Sequence, residues 1–461
     1  AGVSVGAKLI EGRGRLRSGK SEIAFPTMAE GFDAIQIALQ FQLEDSEWWS
    51  EQRLRDHQRG QARILLAHAR RTVPYYRERE TYRPTPGSAT TTDNGWRDLP
   101  ILTRAQIQAA GKALHSDSVP KLHGQVRPVA TSGSTGRPIR ALDTGTTMIF
   151  FRAFNLRKFL WHDLDFSAKV AAIRKAPPKL GRLPNGSMEP VWTSAYHTGP
   201  SVLLDIGATV EEQLDWLMRQ EPAYLLSHPT NLEALALRAS ARNLDMSWLR
   251  AVYGFGEPLD QSTRDILRAN WKVPVWNDYS AVEIGMIGVQ CPEHDHLHVM
   301  AESVLVEVLD DDGRPCAVGE TGRVVLTPLH NFAYPLIRYE IGDYASLGGP
   351  CDCGRGLPVL THVQGRQRNM LVLPGGDRRW PVFRRIEGLG LAGQYQLVQR
   401  DLDRIEAFVV PNRALDDADR AQLVKAVRSD IGFPIDVVLS VVEDIPRARS
   451  GKFENFRSEV P

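Results

Sequence analysis

The sequence is poor in cysteine, carries no excess charge of either sign and contains no long hydrophobic run. Four cysteines among 461 residues are too few for a disulfide-stapled scaffold, which favours a reducing, cytoplasmic compartment. Lys plus Arg (56) and Asp plus Glu (55) nearly cancel, which argues against nucleic acid or an anionic membrane as the main partner. No apolar run approaches the roughly 18 residues that a membrane span needs. Hydrophobic residues still make up 42% of the chain, enough for a large globular core.

The character of the sequence changes twice along the chain, which predicts an α/β fold with two domains. From about residue 126, short strands and helices alternate between Gly/Pro turns, as in a layered α/β body. Residues 299–365 are rich in β-formers and predict a β-rich part of that body. Strand, helix and strand patterns follow and predict a small, mobile α+β domain. We therefore expect a flexible arm over residues 1–22, a large domain over 23–365 and a C-terminal lid domain over 366–461.

The N-terminal region contains two helix signals. Residues 45–71 have apolar side chains at helical spacing, with Asp45 and Ser46 as candidate N-caps and Pro74 as the stop. The segment DLPILTRAQI predicts a turn followed by a capped helix. Both signals concern the scaffold and do not by themselves indicate chemistry.

The octapeptide TSGSTGRP, residues 131–138, combines four hydroxyl groups, two glycines and a guanidinium. Glycines let backbone N–H groups approach a phosphate, and hydroxyls and Arg137 add donors. It is not a Walker A loop, because no Lys-Ser/Thr pair follows the second glycine. A flexible polar turn and a phosphate loop are equally good interpretations of the octapeptide alone.

Two further segments follow predicted strands. Residues 253–258, YGFGEP, form a glycine turn after a strand, where α/β sheets bind ligands, although for this segment alone an ordinary strand–loop–helix corner is the better explanation. Residues 277–283, NDYSAVE, offer an aromatic side chain that could stack on a base and carboxylates that could hold Mg²⁺. Each signal alone is weak.

Two segments near the C-terminus complete the set. Residues 335–343, PLIRYEIGD, end in a glycine turn with Asp343, which could accept both hydroxyls of a ribose or could be an ordinary turn aspartate. Residues 445–452, IPRARSGK, end in Lys452, whose ammonium could meet a phosphate or carboxylate oxygen. A solvated surface lysine is the alternative interpretation.

Taken together and in this order, the segments resemble the adenylate-forming enzymes, and most closely the phenylacetate–CoA ligase family with its capsular-polysaccharide relatives. The resemblance runs from about Trp48 to Phe456 and also includes VPYYRE, LPILTRAQI and CDCGRGLP. It implies the acyl-adenylate synthetase fold, with ATP and Mg²⁺ as cofactors. It implies activation of a carboxylic acid as acyl-AMP with release of pyrophosphate, followed by transfer to an acceptor such as CoA.

The resemblance also assigns roles to residues of this chain. The phosphate-binding positions are Ser132, Gly133, Ser134, Thr135 and Gly136. The adenine pocket would be formed by Gly256, Glu257, Pro258, Asp278 and Tyr279, whereas Asp343 would take the ribose hydroxyls. Glu283, as the Mg²⁺ ligand, Arg366 and Lys452 are the expected catalytic residues, and Arg368 is the expected hinge. The acid pocket would be lined by Tyr196, His197, Tyr253 and Phe255, which suggests an aromatic or apolar acid.

The chain departs from the family pattern at several of these positions. Val282 replaces the hydroxyl residue of the YGxSE segment, and Arg368 replaces the aspartate that is common at the hinge. The glycine-rich turn after the hinge has become LPGGDRRWP, which puts the CoA half-reaction in question. An amide-forming ligase with an amine acceptor, and a catalytically silent nucleotide- or acyl-adenylate-binding regulatory module, therefore remain alternatives. The sequence leaves homodimer formation open.

The cysteines suggest a metal site. Cys291, His298, Cys351 and Cys353 flank the β-rich stretch, and three thiolates with one imidazole suit a structural, tetrahedral Zn²⁺. His294 and His296 compete with His298 for the imidazole position. Four reduced thiols without a metal are the alternative.

Overall fold

The computed structural model describes residues 31–82, 93–130, 138–448 and 451–460. The predicted arm and the five phosphate-loop candidates, residues 132–136, lie outside these ranges. Among the described residues, no helix is long and apolar enough to cross a membrane.

The described part of the large domain contains nine helices. A helix that begins at Gly31 packs on the long helix that begins at Gly145. These helices are α1 (Gly31–Ser46), α2 (Glu51–Thr72), α3 (Pro74–Arg77), α4 (Asp93–Arg97), α5 (Arg104–Ala110), α6 (Gly145–Trp161), α7 (Val210–Gln220), α8 (Pro229–Ala241) and α9 (Gln261–Trp271). Short 3₁₀ turns occupy Glu80–Tyr82, Gly111–Leu114 and Lys121–His123.

One predicted helix has different bounds from those expected. Residues 45–71 were expected as one helix capped by Asp45 or Ser46, but Ser46 is the last residue of α1. The next helix, α2, starts at Glu51 behind the N-cap Ser50, whose side chain accepts a bond from Arg53 N. Thr103 caps α5 with a complete capping box, as LPILTRAQI predicted.

The large domain is built on a twelve-stranded sheet, with a separate hairpin of β1 (Arg127–Ala130) and β2 (Arg140–Asp143) on either side of residues 131–137. The order across the large sheet is β11-β12-β13-β14-β10-β9-β8-β7-β6-β3-β5-β4. The strands that form it are β3 (Val170–Arg174), β4 (Ser187–Glu189), β5 (Ser201–Asp205), β6 (Tyr224–Ser227), β7 (Ala251–Gly254), β8 (Val275–Ala281), β9 (Gly285–Gln290), β10 (Leu297–Val299), β11 (Val304–Leu309), β12 (Thr321–Pro328), β13 (Tyr339–Leu347) and β14 (Val359–Arg366).

The pairing of this sheet changes direction in its middle. Strands β5, β3, β6, β7 and β8 run parallel, whereas every pairing from β8–β9 through β14 to β11 is antiparallel. The β-rich part expected from residue 299 is therefore the antiparallel half of one continuous sheet, and it begins with the pairing of β8 and β9.

The small domain has its own sheet and its own apolar core. A 3₁₀ turn, Gln367–Asn369, leads from β14 into a short hairpin of β15 (Leu371–Val372) and β16 (Arg378–Arg379). The sheet order is β19-β18-β17-β20, formed by β17 (Ala392–Asp401), β18 (Arg404–Pro411), β19 (Asp436–Val441) and β20 (Phe456–Ser458), with helices α10 (Arg384–Gly388) and α11 (Asp417–Ile431). Its core includes Leu397, Ile405, Leu423 and Val427, all fully buried.

Candidate active site

The predicted nucleotide-binding residues lie at the ends of strands β7, β8, β13 and β14. Gly256 follows β7, Tyr279 lies on β8, and Glu283 comes two residues after β8 ends. Asp343 on β13 pairs in register with Arg366 at the end of β14. Gly256 and Glu283 follow the carboxyl ends of the parallel strands β7 and β8, where α/β sheets bind ligands, whereas the antiparallel register of β13 and β14 places Asp343 beside Arg366.

The carboxylate of Asp343 is held by side chains from two other strands. Tyr279 Oη donates a hydrogen bond of 2.7 Å to Asp343 Oδ2, and Arg366 Nε lies 3.5 Å from Asp343 Oδ1. Burial raises the pKa of Tyr279 well above its usual value, and the negative charge of Asp343 adds to this effect. The phenol therefore stays protonated and keeps donating to Asp343.

Glu283 lies in a buried pocket of polar groups beside this cluster. It is 7% exposed; Tyr339 Oη donates to its Oε1 over 3.2 Å, and Arg104 Nη1 lies 3.9 Å from the same atom. Both of these contacts with described residues involve Oε1, so a ligand could be bound through Oε2. This donor set fits Mg²⁺, which takes few protein ligands and completes its shell with water and phosphate oxygens.

Lys452 of the small domain reaches the same place. Its Cε lies 3.4 Å from the position that a Cβ on Gly256 would occupy, and Gly256 has φ = +76°, where glycine is favoured. Burial lowers the pKa of Lys452, and the positive charge of Arg366 lowers it further. The negative charges of Asp343, Glu257 and Glu283 oppose that shift of the pKa.

The side chains of Glu257 and Pro258 contact other segments of the chain. The two carboxylate oxygens of Glu257 accept bonds from Thr230 and from the backbone N of Phe453 in the small domain. Pro258 Cγ lies 3.2 Å from where a Cβ on Gly365 would be, so the two turns touch. The side chain of Glu257 is therefore part of the contact between the domains, and its role toward adenine stays a prediction.

The carboxylate of Asp278 has a lysine partner. Its Oδ2 lies 2.8 Å from Lys158 Nζ of α6, and both side chains are almost fully buried. Burial of one charge requires the other beside it, so the pair supports the fold, and a part of Asp278 in cofactor binding stays a prediction.

The four predicted acid-pocket residues are not brought together. Tyr253 is 0% exposed and forms a 3.1 Å hydrogen bond with His162, and Tyr196 is buried in the same aromatic core cluster. His197 is exposed, and Phe255 is half-buried with its ring tilted against His228. Tyr253 and Tyr196 are therefore core residues here, and only Phe255 adjoins the site.

The predicted hinge residue is tied to the loop that carries the lysine. Arg368 Nη2 lies 2.5 Å from Glu454 Oε1, two residues after Lys452. Asn369 Nδ2 also donates to the carbonyl of Phe456 over 2.8 Å. The two segments, more than eighty residues apart in sequence, are thus held side by side.

A second cluster, of possible metal ligands, lies beside strands β9 and β10. Ligand atoms of Cys291, His296, His298 and Cys351 all lie within 4.8 Å of one another, and the two sulfurs are 3.9 Å apart. Tetrahedral Zn²⁺ with two thiolates requires a sulfur separation of about 3.8 Å, so the spacing fits. His296 takes the place predicted for Cys353, although Cys353 Sγ lies 3.3 Å from His298 Nε2.

The sequence analysis did not single out four residues that contact the predicted site residues: Arg104, Tyr339, Arg447 and Thr230. Tyr339 lies within RYEIGD and Arg104 within LTRAQI, segments that were recognised without roles for these residues. Arg447 lies within IPRARSGK, in which only the lysine was singled out. Thr230 lies in no recognised segment, and its part depends on tertiary contacts alone.

Comparison with known proteins gives matches along most of the chain. Residues 385–459 match the family model of the CapK C-terminal domain. Phenylacetate-coenzyme A ligase of Thermus thermophilus is 25% identical over 87% of this chain and 95% of the relative. Protein CapK of Staphylococcus aureus is 20% identical over 73% of each chain.

The structure is also similar to 2-hydroxyisobutyryl-CoA ligase. With that protein in the postadenylation state, in complex with R3-HIB-AMP, the TM-score is 0.69 at 18% identity, covering 87% of this chain and 89% of the other. With the same ligase in an open conformation, or in the thioesterification state, the scores are 0.56 and 0.57 at the same coverage of this chain. The likeness confirms the predicted fold class.

Proposed function

We propose that the chain belongs to the adenylate-forming superfamily, in the branch of phenylacetate-coenzyme A ligase and CapK, and that it is an ATP-dependent carboxylate ligase. It activates an acid as acyl-AMP with release of pyrophosphate and then transfers the acyl group to an acceptor, CoA first among them. Relatives named as acid–CoA ligases support this assignment.

The observation that carries the proposal is the convergence of five distant side chains. Tyr279 and Arg366 contact Asp343, Glu283 follows the end of the strand that carries Tyr279, and the stem of Lys452 lies against Gly256 just after β7. A ribose diol needs a fixed carboxylate, and Asp343 is fixed. A phosphate needs a cation, and Lys452 is a compact one at the end of a buried stem.

The first half-reaction follows from this geometry. A carboxylate oxygen of the acid attacks the α-phosphorus of ATP, the bond from that phosphorus to the bridging oxygen breaks, and pyrophosphate leaves with the electron pair. Lys452 neutralises charge on the α-phosphate and on the incoming carboxylate. The residues position the reactants and stabilise charge, so no covalent intermediate with the protein is needed.

Glu283 would hold Mg²⁺ through its second oxygen, with phosphate oxygens as further ligands. The ion would supply positive charge toward the triphosphate. Tyr339 keeps the Glu283 carboxylate oriented for that purpose, independently of the ion.

In the second half-reaction the acceptor attacks the acyl carbon, the carbon–oxygen bond to AMP breaks, and AMP leaves. With CoA the product is a thioester, and with an amine it is an amide; each acceptor loses one proton. The acid is proposed to be aromatic or otherwise apolar, on the strength of Phe255 beside the site.

ATP–pyrophosphate exchange with a panel of aromatic, aliphatic and amino acids tests the proposal. We expect exchange with at least one acid. In Lys452→Ala the exchange rate should fall about 100-fold or more, because a cation that stabilises charge in the transition state is removed. Lys425→Ala, an exposed lysine on α11 of the same domain, is the matched control and should exchange normally.

Two outcomes discriminate the alternatives. Product analysis with CoA and with amines decides which acceptor is used. Tight ATP binding without exchange for any acid would contradict the ligase and favour the silent regulatory module.

We further propose that Cys291, Cys351, His298 and His296 hold a structural Zn²⁺. Besides the fitting distances, His298 Nδ1 lies 3.3 Å from the carbonyl oxygen of Leu357, the orienting bond that metal-ligating imidazoles make through their other nitrogen. Four protein ligands leave no open position, which fits a structural role.

Metal analysis of the purified, untagged protein tests the zinc site. We expect about one zinc per chain in the wild type and far less in Cys351→Ser, with a lower melting temperature, since structural zinc contributes folding free energy. Cys316→Ser, a buried cysteine outside the cluster, is the control and should keep the metal. A metal-free wild type from zinc-supplemented growth would refute the site.

A further inference from the structure

We propose that Glu257 of the large domain and Arg447 of the small domain form a latch that docks the lysine loop and thereby positions Lys452. The lysine loop is defined here as the described residues 447–448 and 451–454. The latch itself is an inference from contacts, whereas its effect on adenylation rests on the proposed function.

The carboxylate of Glu257 connects three segments. Its Oε2 accepts bonds from the backbone N (3.2 Å) and Oγ1 (2.8 Å) of Thr230, at the start of α8. Its Oε1 accepts a 2.6 Å bond from the backbone N of Phe453, the residue directly after Lys452. A charge-assisted bond this close to the ammonium restricts where the lysine stem can begin.

Arg447 holds the other end of the same loop. Its Nη1 donates to Thr230 Oγ1 over 2.8 Å and to the carbonyl of Gly451 over 3.2 Å, and it lies 3.7 Å from Glu257 Oε1. One guanidinium thus bridges the large domain and the residue just before Lys452. Hydrogen bonds from Arg447 to Gly451 and from Phe453 to Glu257 therefore fix the loop on both sides of the lysine.

At Gly451 the backbone of the loop packs closely against the large domain. A Cβ at this position would lie 2.8 Å from Ile206 Cγ2 and 3.2 Å from His228 Nε2, and φ is +85°. Only glycine lets the backbone approach the large domain this closely. The docked loop is therefore closely packed against the large domain.

The charges of the latch suit a contact that opens and closes. Glu257 and Arg447 are both largely buried while docked, with side-chain exposures of 4% and 19%. A buried ion is costly without its partner, so each stabilises the other only in the docked arrangement. When the domains separate, water can solvate both groups, which lowers the cost of release.

Hydrogen exchange of the full-length protein, followed by mass spectrometry, tests the latch without any substrate. In Glu257→Ala the amides of residues 451–456 should exchange at least about tenfold faster than in wild type, because the acceptor of Phe453 N is lost. Peptides from β17 and β18 should be unchanged, which shows that the small domain is folded. Unchanged protection of residues 451–456 would overturn the latch.

Glu212→Ala is the matched control for this measurement. Glu212 accepts from the backbone N and Oγ1 of Thr209, as Glu257 does from Thr230, but its described contacts do not include the small domain. Faster exchange of residues 451–456 in this variant as well would mean a general loss of stability and would count against the latch.

Separate assay of the two half-reactions tests the positioning role from the other domain. In Arg447→Gln we expect the kcat of adenylation to fall about tenfold or more with the KM values for ATP and acid within about twofold. Transfer from a supplied, chemically prepared acyl-adenylate should be unchanged, and Arg447→Lys should recover part of the loss. Equal losses in both half-reactions, or no loss in either, would overturn the positioning role.

The two proposals can fail separately. If the wild type activates no acid, the ligase assignment fails, while hydrogen exchange still decides whether Glu257 docks the loop. If the wild type is active and protection does not change, the latch alone fails.

Discussion

Two side chains from strands far apart in the sequence hold the carboxylate of Asp343 in one orientation. Tyr279 comes from β8 and Arg366 from β14, and the bond from the phenol is 2.7 Å long. The residue types were evident from their motifs, since a glycine turn with an aspartate and a nearby aromatic side chain suggest a nucleoside site. The bond between Tyr279 and Asp343 was not evident, because no pattern in sequence relates residues 64 positions apart.

Tyr279→Phe tests whether this bond orients Asp343 for ATP. The ring is kept and the donor is lost, so we expect the KM for ATP to rise about fivefold with little change in kcat, as for the loss of about 1 kcal/mol. Tyr344→Phe, next to Asp343, is the control. Steady-state kinetics at saturating acid measure the effect, and an unchanged KM for ATP would contradict this role of the phenol.

At the scale of elements, helix starts were predicted where the cap is local and missed where it is not. Thr103 and Gln106 cap each other within one turn, so LPILTRAQI was sufficient to predict α5. Ser46 was expected to begin a helix, but its hydroxyl instead donates a 2.7 Å bond to buried Glu302, 256 residues away. That contact depends on tertiary packing. The helix α2 begins instead at Glu51, with Ser50 as its N-cap.

Helices α8, α9 and α10 bring three carboxylates together where the domains meet. Thr263 Oγ1 donates to Glu233 Oε2 over 2.7 Å, and Ser262 Oγ donates across the domain boundary to Glu387 Oε2 over 3.0 Å. Burial raises the pKa of Glu233 to about 7, and the negative charges of Asp260 and Glu387 add to it, against the bond from Thr263. Like charges this close favour the protonated carboxyl.

Glu233→Gln should therefore change how stability depends on pH. Because the folded-state pKa is raised, the stabilising contribution of Glu233 is complete below about pH 4.5 and is lost as pH rises through about 7. Glutamine cannot ionise, so we expect the variant to be more stable than wild type at pH 8, by roughly 1–2 kcal/mol after allowing for solvent.

Thermal unfolding of Glu233→Gln between pH 5 and pH 8 measures this effect. The exposed Glu221→Gln is the control and should follow the wild-type curve. A variant with the same pH dependence as wild type would show that Glu233 does not titrate in this range.

At the scale of the whole molecule, the chain consists of two bodies with separate cores. The small domain packs around its own four-stranded sheet, and the lysine loop extends from it into the site of the large domain. The pair of Arg368 and Glu454 links the predicted hinge to that loop. Arg368, which replaces the aspartate that is common at the hinge, thus has a partner of opposite charge.

A charge swap tests whether this pair favours the docked arrangement. Arg368→Asp places two negative charges together and should slow single-turnover pyrophosphate release about fivefold, since a half-exposed pair contributes about 1 kcal/mol. The double variant Arg368→Asp/Glu454→Arg restores opposite charges and should recover most of the rate. A double variant as slow as the product of the two single effects would mean that the pair is not coupled.

The sequence by itself determined the residue types and their order: the turn glycines, Tyr279, Glu283, Asp343 and the lysine near the C-terminus. These depend on local backbone geometry and on chemistry, which short segments encode. The tertiary structure alone decided which side chains meet: Lys158 with Asp278, Tyr339 with Glu283, and Glu257 with the lysine loop. Such partners come from different helices, strands or domains. They meet only when the folded chain packs and buries their polar and charged groups beside one another.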